Sequence, residues 1–260
     1  NFDIQKAYEA MRKNAFEHPA SEEDYKNGMG RRALDSYLKY GYIPLEDSVP
    51  DAFHTNEQVS RTLEYAYDDF VLAQVARLLD KAKDYEQLSS RAKNYRNVID
   101  PRTGYAQGRH ADGTFLNETN AFSFNRFITE GAPCHYTWYV PQDPYGLMEC
   151  MGGPDRYIAK LDSMFSQHRY WHGNEPCHQV AFMFNYAGQP WKTQKAVRHI
   201  METEYVNAPG GLSGNDDAGQ MSAWYVFAAL GFYPVCPGTP YYALASPSFE
   251  TAVLHLQNGN

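Results

Sequence analysis

Three short segments place carboxylates beside glycine or proline, directly before an apolar pattern of helical spacing. Glu130 stands in TEG, Glu175 in GNEP, and Asp216 and Asp217 in GNDD. Side chains of this kind can cap the first turn of a helix by accepting hydrogen bonds from its unpaired amides. Capping leaves unexplained the histidines, amides and tryptophan in the same segments. Polar groups that converge from several helix ends among aromatic rings are typical of a small-molecule site.

These acids could carry out glycoside hydrolysis by inversion. In that reaction one carboxylic acid protonates the leaving oxygen while a second carboxylate activates water on the opposite face of the sugar. Glu130, Glu175 and Asp217 supply enough carboxylates for both tasks, and the remaining oxygens could bind a hard cation such as calcium, which takes about six to eight oxygen ligands. The absence of HExxH and CxxC pairs disfavours zinc, and the absence of GxSxG disfavours a serine nucleophile.

Composition excludes several other classes of function. The chain has 260 residues, a formal net charge of -8 and no cluster of lysine and arginine interleaved with aromatics, so we expect no nucleic-acid partner. No stretch approaches the roughly 18 apolar residues that a membrane helix needs. The four cysteines lack CxxC spacing and are predicted to be mostly free thiols. Aromatic residues make up 15% of the chain, which suits either a core of large rings or a sugar cleft.

Helical periodicity dominates the elements that must position these segments. We predict an amphipathic N-terminal helix and, in order, helices over residues 60–79, 84–99, 144–153, 154–167, 176–187, 190–205 and 219–230, the first of these behind the N-cap Ser60. Residues 105–127 are predicted to form a long loop with a short hairpin, and strand alternation occurs only near residues 241–249. Asp68 and Asp69, in mid-helix, either lie on a solvated face or contribute to a pocket, directly or through a neighbouring residue. The pattern predicts antiparallel helix pairs in a toroid or a bundle.

Four long motifs carry a resemblance to a known family. They are SRTLEYAYDDF, the stretch from Tyr136 to Gly153, YWHGNEPCHQVAFMFNYAGQPWKTQ and GLSGNDDAGQMSAWYVFAALGFYP. In order and spacing, over nearly the whole chain, they resemble the calcium-dependent exo-α-mannosidases of glycoside hydrolase family 92.

The resemblance implies a fold and an activity. It implies an all-α (α/α)6 toroid, incomplete in this chain, with a short β segment near the C-terminus. It also implies an inverting exo-α-mannosidase that acts with calcium on mannan or N-glycan mannosides. On this basis residues 1–260 are one catalytic-domain segment, the family's N-terminal β-sandwich has no counterpart in them, and the protein is exported to the periplasm or secreted.

The resemblance also assigns roles to residues. Glu130 falls at the position of the general acid and Asp217 at that of the base, with Asn215 or Asp216 as the neighbouring polar group. The acid is expected in a poorly solvated place, with its carboxyl about 6.5–9.5 Å from that of the base. Substrate contacts are predicted for Asn174, Glu175, Asn215, Trp138 and His135. Calcium is assigned to Glu175 together with His178 or Gln179, through a side chain or a backbone carbonyl.

One departure from the family keeps other functions open. Family members commonly read EGNAWQYTW, whereas Ala132 to His135 here read APCH. One alternative is therefore a carbohydrate-binding or scaffold protein with a degraded glycosidase site. Another is a different (α/α)6 glycosidase, such as a glucosidase or trehalase.

Overall fold

The computed structural model describes residues 2–48, 55–117 and 119–256. The chain divides into two compact units, Asn1–Tyr157 and Ile158–Asn260, and each is described by itself. The helices are α1 Ile4–Phe16, α2 Glu22–Lys26, α3 Leu34–Tyr40, α4 Gln58–Leu78, α5 Ala82–Arg91, α6 Pro133–Tyr136, α7 Pro144–Cys150, α8 Pro154–Ser166, α9 Pro190–Thr203 and α10 Gln220–Leu230. Short 3₁₀ helices cover Asn94–Val98, Glu175–Cys177 and Val180–Ala187. The predicted helical class is confirmed.

Helix α4 is the centre of the first unit. It packs along α5 and also contacts α1. The small residues Ala73 and Ala76 of α4 allow the neighbouring helices to approach it closely. Tyr8 of α1 and Leu88 of α5 fill the interface, and all four residues are buried. Because apolar area removed from water is the main stabilising term, this cluster fixes the direction of α4 and of the acids on it.

Asp69 is fully buried within this unit, so the prediction of a solvated face is wrong for this residue. Its carboxylate accepts hydrogen bonds from Arg31 Nη1 at 2.6 Å and from Arg91 Nε at 2.8 Å. The hydroxyl of Tyr37 adds a bond at 3.2 Å. Asp68 is exposed, as the prediction of a solvated face requires. Its Oδ2 lies 3.7 Å from Arg31 Nη2. A buried carboxylate needs such partners, since an unpaired charge in the interior is costly.

Most predicted helices form close to their expected bounds, and the differences concern helix type. The second predicted helix ends at Arg91 and continues as a 3₁₀ turn before the hairpin of β1 Ile99–Asp100 and β2 Tyr105–Ala106. The loop that follows carries one isolated bridge, Arg109 to Phe115. In the second unit the segment 176–187 forms tighter 3₁₀ turns instead of an α-helix. The C-terminal strand signal becomes β4 Ala243–Leu244, paired with β3 Phe232–Tyr233.

The core of the second unit is aromatic. The apolar run Val180–Phe184 is fully or nearly fully buried and packs on α9. Trp224 of α10 is buried and contacts the rings of Phe182 and Tyr205. All four cysteines are free thiols. Within the described residues, every helix is too short or too polar to cross a bilayer.

Candidate active site

The segment that leads to Glu130 is anchored to the first turn of α4. The amides of Glu57 and Val59 donate to the carbonyls of Arg126 and Phe127 at 2.9 and 3.0 Å. The hydroxyl of Ser60 accepts the amide of Thr129 at 2.8 Å. Helix amides without an intrahelical partner need such acceptors, so α4 begins at Gln58 and Ser60 is an anchor for this segment instead of an N-cap. The chain is therefore held one residue before the predicted acid.

Glu130 itself has a backbone conformation that is unusual for a residue with a side chain. Its φ is +48°, in the left-handed region. The residue is exposed, so the first unit does not supply the poorly solvated place expected for a general acid. This turn aims the chain into α6, which Pro133 opens.

His135 stabilises the turn after Glu130. Its ring Nδ1 accepts the amide of Ala132 at 3.1 Å, and the amide of Cys134 donates to the carbonyl of Ala121 at 2.8 Å. Because Nδ1 is an acceptor, the proton of the neutral ring resides on Nε2. The APCH departure thus builds an ordered helix start.

The indole of Trp138 is enclosed in the core of the first unit, which contradicts the substrate contact that was predicted for it. The residue has 0% exposure. Its ring meets that of Tyr157 edge-on, with centroids 5.1 Å apart. The indole of Trp138 is therefore part of the core of the first unit.

In the second unit, two glycines bring the GNEP and GNDD segments together. A Cβ at Gly173 would lie 2.7 Å from the carbonyl oxygen of Ser213, and one at Gly214 would lie 2.4 Å from that of Gly173. Both distances are shorter than any Cβ tolerates, so the backbones meet only because both residues are glycine. Glu175 and Asn215 therefore lie within two residues of the point where the two backbones meet. The sequence motifs did not reveal this contact.

The adjacent Asp216 and Asp217 have different surroundings. Asp216 Oδ1 accepts the amide of Ser222 at 2.9 Å and its hydroxyl at 3.0 Å, which caps the start of α10. Asp217 is exposed, with φ at +47°, and it opens a left-handed run with Ala218 at +56° and Gly219 at +96°. Capping thus occupies one oxygen of Asp216, whereas the neighbouring Asp217 faces solvent.

The imidazole of His178 is not placed to bind a metal, and that prediction is wrong for its side chain. Its Nε2 donates to the carbonyl of His172 at 2.9 Å, and its Nδ1 faces Gln220 Nε2 at 3.2 Å. The backbone carbonyl of His178 accepts the indole N–H of Trp224 at 2.9 Å. Burial lowers the pKa of this histidine, so it stays neutral at physiological pH.

His172 belongs to the same buried network, which the sequence reasoning missed. The Tyr205 hydroxyl donates to the carbonyl of Met221 at 2.9 Å and so accepts from His172 Nε2 at 2.6 Å. The Tyr170 hydroxyl then donates to His172 Nδ1 at 2.7 Å. Burial, aided by the neighbouring His178, lowers the pKa of His172 to about 3. The network fixes the segment that carries Glu175.

Glu175 and Gln179 have the chemistry that calcium prefers. Glu175 opens a 3₁₀ turn and is partly exposed, and Gln179 Nε2 donates to the carbonyl of Pro176 at 2.9 Å, which orients its amide. Carboxylate and amide oxygens are the usual calcium ligands. Asn174 is buried, with 6% exposure, and Asn215 is exposed. Among the described residues, no cluster of three or more histidine, cysteine or acidic side chains could hold a metal by itself.

Glu64 is a further acid that the sequence reasoning passed over. The pKa of Glu64 rises to about 7, mainly because the carboxyl is buried and also because the negative charge of Asp68 is near. A hydrogen bond with Tyr139 partly opposes this rise. The signal was present in the sequence, because Glu64 and Asp68 are four residues apart on a helix and share one face.

Comparisons with known proteins agree with the motifs. The sequence model of the glycosyl hydrolase family 92 catalytic domain matches residues 1–260. The family GH92 alpha-mannosidase BT3965 of Bacteroides thetaiotaomicron matches with a TM-score of 0.87 and 41% identity over 99% of this chain and 33% of its own. That protein has also been solved in complex with mannoimidazole. The family GH92 inverting mannosidase BT2199 of the same organism matches with a TM-score of 0.87 and 38% identity, over 99% of this chain and 37% of its own.

A curated relative extends the comparison to a fungus. An uncharacterized secreted glycosidase of Arthroderma benhamiae is 29% identical over 274 residues, which cover 96% of this chain and 35% of that protein. The chain therefore spans about a third of the length of the relatives it matches.

Proposed function

Since the chain belongs to glycosyl hydrolase family 92, we propose that it is the helical part of an inverting exo-α-mannosidase that removes terminal α-mannose from glycans. The names of the solved relatives, an α-mannosidase and an inverting mannosidase, support the substrate and the stereochemistry. Export from the cell fits the fungal relative, which is named as secreted.

The observation that carries this proposal is the match of the family 92 catalytic domain over residues 1–260. The backbone conformation of the two acids is a supporting feature, which five other non-glycine residues of the described part also have. Glu130 and Asp217 have φ values of +48° and +47°. A non-glycine residue in the left-handed region costs about 1–3 kcal/mol and occurs preferentially at functional sites. Each acid also lies at a turn that is fixed by backbone hydrogen bonds to a neighbouring helix or loop, so each carboxylate is offered from a defined position.

The proposed reaction divides the work between these two residues. Glu130 gives its proton to the glycosidic oxygen as the bond to the anomeric carbon breaks. Asp217 takes a proton from the water that attacks the opposite face of that carbon, and β-mannose is the product. His135, Asn174 and Asn215 orient the sugar through its hydroxyls. Asp216 holds the start of α10, so that its neighbour Asp217 keeps its place.

Glu175 and Gln179 would hold a calcium ion through oxygen atoms. When bound, calcium supplies positive charge that attracts the oxygens of the sugar hydroxyls. Its remaining ligands would be water, substrate or further chain.

The test uses the full-length protein and an aryl α-mannoside. Hydrolysis that gives β-mannose as the first anomer seen by NMR, and that falls after chelation and returns with added calcium, is the expected result. Release of α-mannose would refute inversion, and activity indifferent to chelator would refute the calcium assignment. An α-glucoside or trehalose cleaved faster than the mannoside would favour the other glycosidases.

The exposure of Glu130 and the APCH departure favour one alternative, a protein that binds mannosides without hydrolysing them. Calorimetry with a mannoside on the native protein separates the two. Binding without turnover, in the presence of calcium, would replace the proposed enzyme with this alternative.

A further inference from the structure

The GNEP and GNDD segments of the second unit are in contact on both sides of the acids that they carry. N-terminal to both acids, Gly173 and Gly214 approach so closely that neither leaves room for a Cβ on the other. C-terminal to both acids, Gln220 Nε2, at the start of α10, donates to His178 Nδ1 at 3.2 Å. Each acid is therefore in a short stretch of chain whose two ends both contact the other segment.

The second of these contacts is well defined by its other hydrogen bonds. His178 Nε2 donates to the carbonyl of His172 at 2.9 Å, which leaves Nδ1 of the neutral ring as an acceptor for Gln220. The other hydrogen of the Gln220 amide group points to the hydroxyl of Tyr233 at 3.4 Å. The indole of Trp224 donates to the backbone carbonyl of His178 at 2.9 Å. Both the ring and the backbone of His178 are thus bound to α10.

Gln220 also closes the turn that carries Asp217. Its backbone amide donates to the carbonyl of Asp217 at 3.2 Å, and the amide of Met221 donates to the carbonyl of Asp216 at 3.2 Å. Asp217 and Ala218 have φ values of +47° and +56°, so this part of the turn lies outside the regular helix. The place of Asp217 relative to α10 therefore depends on the residues that close the turn.

We propose that Gln220 is a positioning residue, which holds the proposed base Asp217 in place relative to the segment of Glu175 through its hydrogen bond to His178. The inference deepens the proposed function and rests on it. An inverting reaction needs its base at a defined place relative to the bound sugar, so loss of this hydrogen bond should slow the chemical step and leave ground-state binding unchanged. Gln220 acts through Asp217 and takes no part in bond cleavage.

The first experiment measures kcat and KM of full-length variants on an aryl α-mannoside. Gln220→Met keeps the length of the side chain and removes both amide donors. We expect its kcat to fall about 10- to 100-fold with KM within about twofold, because a misplacement of about 1 Å can cost about 10²-fold in rate. An unchanged kcat, or a KM that rises as much as kcat falls, would overturn the proposal.

Tyr233→Phe is the matched control for this change. It removes the hydroxyl at 3.4 Å from Gln220 Nε2 and leaves the contact of Gln220 with His178 intact. Its kcat should stay within about twofold of the native value, as expected for a site that does not couple to the base. A fall equal to that of Gln220→Met would show that the contact with His178 is not the one that matters.

A double-mutant cycle tests whether Gln220 acts through Asp217. In the Asp217→Gly protein the base is gone, so the addition of Gln220→Met should change the residual kcat by at most about twofold. A loss as large as that in the native background would refute a role that depends on Asp217.

Two substitutions of His178 test the same hydrogen bond from its other end. Both remove the ring Nε2 that donates to His172, so they share any cost to folding. His178→Asn places its Oδ1 as many bonds from Cα as the histidine Nδ1, and it keeps an acceptor for Gln220, whereas His178→Leu has none. We expect a higher kcat for the asparagine variant, and equal values would contradict the proposal.

Hydrogen exchange on the same full-length variants supplies a readout that does not depend on catalysis. The amides of residues 216–222 should exchange faster in Gln220→Met than in Tyr233→Phe, because local opening is easier where the turn has lost its contact. A native protein that cleaves the mannoside, with native kcat in Gln220→Met, retains the proposed function and loses the positioning role. A native protein that cleaves nothing, but whose turn exchanges faster only in Gln220→Met, retains the contact between the segments and loses the function. Unchanged exchange in Gln220→Met would refute the contact itself.

Discussion

Replacing Asp217 by glycine should remove activity without lowering stability. The residue is exposed, so its carboxylate makes little contact that folding would lose. Its φ of +47° costs a residue with a side chain about 1–2 kcal/mol, and glycine is free of that cost. Glycine also raises the entropy of the unfolded chain, at about 0.4–1 kcal/mol. The free energy of unfolding should therefore be unchanged or rise by up to about 1.6 kcal/mol.

The adjacent Asp216 provides the matched comparison. Its two hydrogen bonds to Ser222 cap α10. The loss of such a cap costs about 0.5–2 kcal/mol, so Asp216→Ala should be less stable than Asp217→Gly by about 1–2 kcal/mol. In activity we expect a fall of about 10²–10⁴-fold for Asp217→Gly, because general-base catalysis contributes that much. Asp217→Asn should lose activity equally, since asparagine also tolerates the left-handed region.

The assay is urea unfolding of the full-length variants, followed by tryptophan fluorescence, beside hydrolysis of an aryl α-mannoside. Trp224 lies within α10 and is buried, so its emission reports on the helix that Asp216 caps. The reasoning fails if Asp217→Gly is destabilised by more than about 1 kcal/mol or keeps activity within about tenfold of the native protein. It also fails if Asp216→Ala is as stable as the native protein.

Three further changes test the remaining assignments. Glu130→Gln should cost about 10²-fold or more on mannosides with poor leaving groups and much less on an activated aryl mannoside, because a good leaving group hardly needs a proton; equal losses on both would remove Glu130 from the role of acid. Asp69→Asn should lower the free energy of unfolding in urea by about 3–5 kcal/mol, because among the described residues Asp69 is the only buried carboxylate that pairs with Arg31 and Arg91. The matched change Asp68→Asn, at an exposed residue, should cost about 1 kcal/mol or less. Burial raises the pKa of Glu64 from 4.5 to about 7. Between these two values the folded state therefore holds a proton that the unfolded state has lost. The stability that this group contributes is present at low pH and is lost as pH rises through about 7. The thermal midpoint of Glu64→Gln minus that of the native protein should therefore increase from about pH 5 to about pH 8. A difference that does not change with pH would contradict the shifted pKa.

Helix positions were largely predictable because their signals are local. Proline at the first position predicted the starts of α7, α8 and α9, and the structure confirms them at Pro144, Pro154 and Pro190. The type of helix was less predictable. Residues 180–187 form 3₁₀ turns, and the first five of them are buried, so that packing overrides the preference for the α-helix there.

The candidate site was predictable as a set of segments but not as a set of contacts. The acids in TEG, GNEP and GNDD do lie at turns that start helices. Trp138 and His178 were expected to face a ligand, yet one fills the core and the other is engaged by His172, Gln220 and Trp224. Residue type alone did not distinguish a ring that lines a cleft from one that fills a core.

The sequence by itself determined the family, the helical class and the segments that carry the acids, because periodicity, caps and long motifs are properties of neighbouring residues. Only the tertiary structure decided which acidic side chains are buried, which cap a helix and which face solvent. Asp69 is buried because Arg31, 38 residues away, and Arg91, 22 residues away, meet it, while Asp68 on the next position of the helix faces solvent. Gly173 and Gly214 bring two motifs together through a contact that neither motif contains. Burial and hydrogen-bond partners depend on groups distant in the chain, and so the same residue type can pair, cap or face a substrate.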